Sequence, residues 1–228
     1  MKVDLLDFMG DDLSIVNAAR VSFSKQSEWE TGEFCEQCND YHDPYLAERD
    51  TKLINYLARH NHWTPFGHCF ASFRIKAPIF VARQLGKHQV GLVWNEVSRR
   101  YVDDEPEFYV PKTLRKRAEN VKQGSSDEPV DSIKAEFAIR FSEETAFEAY
   151  KTLLAEGVCP EQARAILPQS TYTEWVWSGS LAAFARVCKL RLDPHTQYET
   201  RLIAAHIDND LKSLFPVSWK ALMNEAAD

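Results

Sequence analysis

Hydrophobic and polar residues alternate most clearly between residues 69 and 77. Phe73 and Ile75 fall on one side of this stretch, and Arg74 and Lys76 fall on the other. A period of two is typical of a β-strand with one buried face. A second stretch of the same kind, TYTEWVWS at 171–178, is rich in aromatic and β-branched residues. The pattern therefore predicts two strands, each half-buried.

Helices are predicted where apolar residues recur at three- and four-residue spacing. The predicted helices cover residues 11–20, 44–60, 78–86, 133–156, 159–168, 178–191 and 196–214. In the longest helix the expected buried face consists of Phe137, Phe141, Ala149 and Leu153, and in the last it consists of Ile203, Ile207, Leu211 and Leu214. Strands and helices together predict a single α+β domain, in which an antiparallel or mixed sheet is flanked by helices.

Two polar stretches interrupt this pattern without a linker long enough to divide the chain. They lie near residues 24–43 and 112–132, and both contain Gly and charged residues. We interpret them as insertions into one domain that spans residues 1–228, the second being an exposed, mobile loop or lid. Residues 62–68 (HWTPFGH) are expected to form a turn, because Pro and Gly stop regular structure there.

The charge balance and the absence of long apolar runs argue against some classes of protein. The chain has 27 Lys and Arg against 34 Asp and Glu, for a net charge of -7. No long basic run is present to neutralise phosphates, so a nucleic-acid partner is not expected. No apolar run reaches the roughly 20 residues of a membrane span, and acids within the first residues argue against a signal peptide. We therefore expect a cytoplasmic protein without membrane contact.

The spacing of two cysteines and a histidine resembles part of a metal site but does not complete one. Cys35 and Cys38 form a CxxC motif, and His42 follows shortly after. A structural zinc site takes four ligands, and no second motif supplies the fourth. The five cysteines, without a secretion signal, are expected to be reduced thiols. We predict no metal, and interpret this stretch as a surface insertion with free thiols.

The segment from Arg83 to Tyr101 concentrates positive charge in an acidic protein. Its cations are accompanied by one acid, Glu96, and by carboxamide and hydroxyl side chains such as Gln84 and Ser98. Forked guanidinium donors next to amides suit an anion of defined shape, such as a nucleotide. Further arginines that could converge on it follow along the chain: Arg164, Arg186 and Arg191. The alternative is a charged, solvated surface in an α+β domain.

Common catalytic motifs are absent from the sequence. No GxGxxG or GxxxxGK[ST] motif appears, so Rossmann and P-loop nucleotide binding are not supported. GxSxG is also absent, and Ser98 with His88 does not make a triad.

A series of separate motifs, in order, resembles the flavin-dependent thymidylate synthases (the ThyX family). The motifs are ARVSF (19–23), HWTPFGH (62–68), FRIKAPIFVARQ (73–84), NEVSRRY (95–101), EQARAILP (161–168) and LRLDPHTQYE (190–199). The resemblance implies an enzyme that makes dTMP from dUMP with FAD, NADPH and methylenetetrahydrofolate. It also implies a homotetramer with its sites at subunit interfaces.

The same resemblance implies roles for individual residues. Expected dUMP contacts are Gln84, Glu96, Ser98, Arg99, Arg100, Arg164 and Arg191. Expected flavin contacts are Ser22, His62, Thr64, Lys87, His88, Gln89, Asn95, Glu96, Ser180 and Arg186. The expected catalytic residues are Arg164, Ser98 and His62. Donors near the pyrimidine carbonyls would stabilise negative charge on the ring, which is the role expected of Arg164.

The chain also departs from the family pattern. The family has Arg-His-Arg where this chain has Lys87-His88-Gln89, and one extra residue precedes Asn95. Ala182 stands where the family tends to offer a donor, and Gly67 stands where it has an acid. Lysine cannot make the bidentate contact of arginine. Two alternatives therefore stay open: hydroxymethylation of a pyrimidine nucleotide, and nucleotide binding without catalysis.

Overall fold

The computed structural model describes residues 1–32, 34–35, 40–41, 43–102, 104–119 and 124–223. Its strands are β1 (Lys2–Met9), β2 (Phe34–Cys35), β3 (Asp40–Tyr41), β4 (Phe70–Pro78), β5 (Leu92–Glu96), β6 (Arg115–Arg117), β7 (Ser125–Pro129) and β8 (Tyr172–Ser180). Its helices are α1 (Asp12–Arg20), α2 (Glu48–Arg59), α3 (Ile79–Leu85), α4 (Ile133–Ala155), α5 (Pro160–Ala163), α6 (Leu181–Arg191), α7 (Tyr198–Leu214) and α8 (Pro216–Met223).

The central sheet has four strands in the order β1-β4-β8-β5, and each pair of neighbours is antiparallel. Phe73 and Ile75 of β4 lie opposite Trp177 and Trp175 of β8, and all four side chains are buried. The alternating pattern of both strands thus places aromatic and aliphatic residues on one face. The α+β fold with an antiparallel sheet is confirmed.

Helices cover the apolar face of the sheet. Phe184 of α6 packs edge-on against Phe73 and Trp177, with ring centroids 5.2 and 5.3 Å apart. The buried face of α7 agrees with the prediction for Ile203, Ile207 and Leu211, while Leu214 is only partly buried. Within the described residues, no helix is long and apolar enough to cross a membrane.

The predicted buried face of the longest helix is wrong. On α4, Phe137 and Phe141 are 65% and 57% exposed, Ala149 is exposed, and Leu153 is partly buried. The main packing partners of α4 among the described elements are α5 and the 3-10 turn Arg164–Ile166. Tyr150 is the large side chain that this helix buries. Helical spacing identified the helix correctly, but it could not identify which part of the helix meets the core.

The two interrupting stretches contain short paired strands. Within 112–132, β6 and β7 form an antiparallel hairpin, where the sequence predicted an irregular loop. Within 24–43, β2 pairs with β3. Cys38 and His42 of the candidate metal motif lie outside the described residues. Among the residues that are described, no group of three or more His, Cys, Asp or Glu side chains is placed to hold a metal.

Candidate functional site

The cation-rich segment runs across the sheet edge as helix, turn and strand. Gln84 lies on α3, residues 86–91 form a turn, and β5 continues to Glu96. β5 was not predicted from the sequence. Gly91 has a φ of 76°, and a Cβ there would lie 3.1 Å from that of Ala183. Glycine therefore permits both the left-handed backbone and the close approach of this turn to α6.

His88 is held by Arg191 from the end of α6. Arg191 Nε donates to His88 Nε2 at 2.9 Å, and Arg191 Nη2 donates to the carbonyl of Gln84 at 3.2 Å. Burial lowers the pKa of His88 below its ordinary value, and the charges of Arg191 and Arg186 lower it further. Because Nε2 accepts, the ring proton lies on Nδ1. His88 thus presents a neutral imidazole with one donor.

Gln84 and Arg191 line a cavity of about 910 Å³ at the N-terminus of α7. Gln84 Nε2 donates to Gln197 Oε1 at 3.3 Å, whereas Gln84 Oε1 is buried without a partner among the described residues. Buried polar atoms in native structures are almost always paired, so this acceptor, on a residue that lines the cavity, is an exception that a hydrogen-bond donor would satisfy.

Arg115 forms another part of the wall of this cavity. Its Nη2 donates to Glu199 Oε1 at 3.0 Å, and its guanidinium lies 4.3 Å from the ring centroid of Tyr198. Tyr109 donates to the same carboxylate oxygen, and burial, followed by Glu199, raises the pKa of Tyr109 to about 12. The β6–β7 hairpin is thereby tied to the start of α7.

Glu96 and Arg164 line a different cavity, of about 360 Å³. Glu96 accepts from Thr173 Oγ1 at 2.7 Å and from Trp94 Nε1 at 3.1 Å, which fixes the carboxylate. Arg164 Nε donates to the carbonyl of Glu161 at 3.3 Å. The neighbouring Arg99 lines the same cavity, with Nη1 donating to the carbonyl of Asp104 at 2.8 Å.

Ser98 and Arg100 lie beside this second cavity on the loop after β5. Ser98 Oγ accepts from Arg100 Nε at 3.2 Å. The guanidinium of Arg100 is 5.1 Å from the ring centroid of Tyr101, and both of these side chains are exposed. The loop thus presents a hydroxyl and a cation to solvent.

Three of the expected flavin residues meet in a third cavity, of about 1070 Å³. Ser22, His62 and Thr64 line it together with Tyr56 and Trp63. The His62 ring contacts that of Tyr56 edge-on, with centroids 5.9 Å apart. Exposed aromatic faces beside hydroxyl and imidazole donors suit a flat, hydrogen-bonding ligand.

Within one chain, the remaining expected flavin residues do not line this third cavity. Ser180 is the N-cap of α6 and accepts from the amide of Ala183. Arg186 lines a smaller cavity that also contains His62. The side chains of Lys87, Gln89 and Asn95 are exposed, and no hydrogen bond from them is seen within the described residues.

The structure therefore brings the expected substrate residues together in two sets. Gln84 and Arg191 belong to one cavity, and Glu96, Arg99 and Arg164 belong to the other. Arg115 was not predicted as a site residue, because it lies in the polar stretch at 112–132, which has no recognisable motif. Gln197 and Tyr198 lie within the motif LRLDPHTQYE, but no role was predicted for them.

Comparisons with known proteins agree along nearly the whole chain. The family described as "Thymidylate synthase complementing protein" matches residues 4–217. The flavin-dependent thymidylate synthase of Kosmotoga olearia is 39% identical over 227 residues, covering 98% of this chain and 90% of the relative. That of Thermus thermophilus is 39% identical over 219 residues, covering 96% of this chain and 74% of the relative.

Solved structures show the same similarity. The UMP/dUMP methylase PolB of Streptomyces cacaoi, bound with 5-Br dUMP, superposes with a TM-score of 0.79 at 31% identity. The match covers 96% of this chain and 93% of that one. The same enzyme bound with 5-Br UMP gives a TM-score of 0.78 at 29% identity.

Proposed function

Because the chain belongs to the flavin-dependent thymidylate synthases, we propose that it converts dUMP to dTMP with a one-carbon unit from methylenetetrahydrofolate. FAD is its flavin and NADPH its reductant. When bound, FAD supplies the hydride that reduces the transferred methylene to a methyl group. The observation that carries the proposal is the unpaired acceptor of Gln84 beside Arg191.

These two residues are complementary to the imide edge of uracil. The base offers one donor, N3–H, between two carbonyl acceptors. Gln84 Oε1 is a buried acceptor without a partner among the described residues, and Arg191 has N–H groups that neither His88 nor the carbonyl of Gln84 occupies. A pyrimidine nucleotide would satisfy both, which is the basis of recognition by unpaired polar groups.

The second set supplies charge for the phosphate and the ring. We propose that Ser98, Arg99 and Arg100 bind the phosphate, and that Glu96 fixes the nucleotide. Arg164 would donate to a ring carbonyl and stabilise the negative charge that develops during attack on the one-carbon unit. Because the two sets line separate cavities within one chain, we propose that they meet across a subunit interface in a homotetramer.

The residues around the third cavity fit a flavin. Tyr56 and Trp63 offer ring faces, while Ser22, His62 and Thr64 offer polar contacts. We propose that His62 contacts the reactive ring system, where it serves catalysis together with Ser98 and Arg164. The other proposed flavin residues come from the turn, β5 and α6: Lys87, His88, Gln89, Asn95, Glu96, Ser180 and Arg186. We also propose a cytoplasmic location, in keeping with free buried thiols at Cys69 and Cys188.

An anaerobic absorbance titration tests the proposal. Purified protein is mixed with FAD, and NADPH is then added with and without dUMP. We expect flavin bleaching that is faster with dUMP. Adding methylenetetrahydrofolate should yield a product heavier than dUMP by one methylene. A product carrying a hydroxymethyl group would show that the reaction is hydroxymethylation and not methylation. Nucleotide binding without NADPH oxidation would show that the chain is not catalytic.

A further inference from the structure

The turn at residues 86–91 lies along α6 and is fastened to it at successive levels. At the start of the helix, Gly91 lies so close to Ala183 that a Cβ on it would be 3.1 Å from the Ala183 Cβ. One turn further along, Arg186 Nη2 donates to the carbonyl of Val90 at 2.7 Å. Near the end of the helix, Arg191 Nε donates to His88 Nε2 at 2.9 Å. The turn therefore follows one face of α6.

Arg186 is well oriented for this contact. Its Nη1 also donates to the carbonyl of Ala182 on its own helix, at 3.3 Å. Two carbonyls, one on each side, are thus joined by one planar guanidinium. Lysine could reach one carbonyl but cannot hold both in this fixed geometry.

Apart from His88, the side chains flanking the middle of the turn give it no such anchor. Lys87 and Gln89, which flank His88, are both exposed, and no hydrogen bond from either side chain is seen in the described part of the chain. A segment without fixed contacts must lose conformational freedom when a ligand orders it, and this weakens binding. The contacts from α6 remove that cost before any ligand arrives.

We propose that Arg186 is a positioning residue that fastens the turn to α6 and so holds His88 ready for the flavin. The inference rests on the proposed function, and it refines the role of Arg186. The N–H groups of Arg186 that form hydrogen bonds donate them to carbonyls of the protein. The arginines that the sequence lacks at positions 87 and 89 are thus compensated from a neighbouring helix. Positioning by Arg186 adds to the flavin contacts proposed for the residues beside His88.

The experiment compares Arg186→Met, Arg186→Lys and a matched control, Arg140→Met, which removes an arginine from α4, away from the turn. Gly91→Ala is a second, independent way of moving the turn, because its new Cβ meets Ala183. Hydrogen exchange of the amides of residues 88–92 is measured without FAD, and FAD affinity is measured by titration. Nitrogen NMR of the His88 ring reports its tautomer.

In FAD-free protein we expect Arg186→Met and Gly91→Ala to speed exchange in the turn, without changing exchange in β4 or β8. FAD affinity should fall about tenfold for Arg186→Met, the scale of one lost charged hydrogen bond, and less for Arg186→Lys. Arg140→Met should match the wild type in both measurements.

If Arg186→Met changes neither the amide exchange of the turn nor the tautomer of the His88 ring, then Arg186 does not fasten the turn to α6. A loosened turn with unaltered FAD affinity would overturn its importance for the flavin. If the wild type does not bind FAD, the proposed function fails, while the exchange experiment still decides whether Arg186 fastens the turn.

Discussion

At the scale of single residues, His88 is the clearest case of an environment that controls charge. Its pKa is lowered from 6.5 by burial and by Arg191 and Arg186. In the unfolded chain the imidazole regains its ordinary pKa. Just below pH 6.5 the unfolded state therefore binds more protons than the folded state, and stability falls as the pH falls towards the folded pKa.

We expect this linkage to appear in urea denaturation between about pH 7 and pH 5. Over that interval the wild type should lose stability relative to His88→Gln, which lacks the titrating group. Parallel pH profiles for the two proteins would contradict the lowered pKa of His88.

A substitution at Arg191 tests whether this residue contacts dUMP. Arg191→Ala should weaken dUMP binding by about 1.5–3 kcal/mol, because a charged hydrogen bond to the nucleotide is lost. Isothermal titration with dUMP measures the change, and Arg140→Ala on α4 serves as a control. An unaltered dUMP affinity would remove Arg191 from the site.

At the scale of elements, α8 begins at a carboxylate supplied from the other end of the chain. Asp12 Oδ2 accepts from the amide of Val217 at 2.9 Å, and Oδ1 accepts from the amide of Ser218 at 2.8 Å. Asp12 is 3% exposed. The carboxylate caps amides that have no helical partner and complements the positive end of the helix dipole.

Asp12→Ala should therefore destabilise the fold by about 2–3 kcal/mol, since two amides lose a charged acceptor. Asp12→Asn keeps one side-chain oxygen and should cost less. Urea denaturation measures both variants. A loss below about 0.5 kcal/mol for Asp12→Ala would show that water replaces the carboxylate.

Elements with strong periodicity were predictable from the sequence. The alternation of β4 and the spacing of α7 both correspond to buried faces. The edge strands β1 and β5 were not, because neither strand contains a fully buried residue. β1 exposes Leu6, Phe8 and Met9 by 50%, 48% and 57%, so its apolar residues do not separate by side.

For the candidate site, the sequence offered a set of proposed residues but not their arrangement. Motifs identified Gln84, Glu96, Arg164 and Arg191 without showing that they line two cavities, since that separation depends on how α3, β5 and α6 cross. The contact of Arg115 with Glu199 joins residues far apart in the chain, and no local pattern indicates it.

At the scale of the whole molecule, the two cavities make the proposed assembly testable. Arg164→Ala and Arg191→Ala should each be nearly inactive alone. If each site combines the two sets from different subunits, mixed tetramers contain sites with both arginines intact. An equal mixture, unfolded and refolded together, should regain up to about a quarter of wild-type activity. A mixture no more active than the separate variants would place each site within one chain.

The position of β8 in the middle of the sheet has a consequence for synthesis on the ribosome. β4 and β5 both pair with β8, yet β8 is synthesised about 80 residues after β5. The amides of Val217 and Ser218, which donate to Asp12, are synthesised later still. The nascent chain therefore exposes the apolar sides of β4 and α1 through most of translation. We expect growing chains of this protein to depend on holding chaperones until the second half of the sequence has left the exit tunnel.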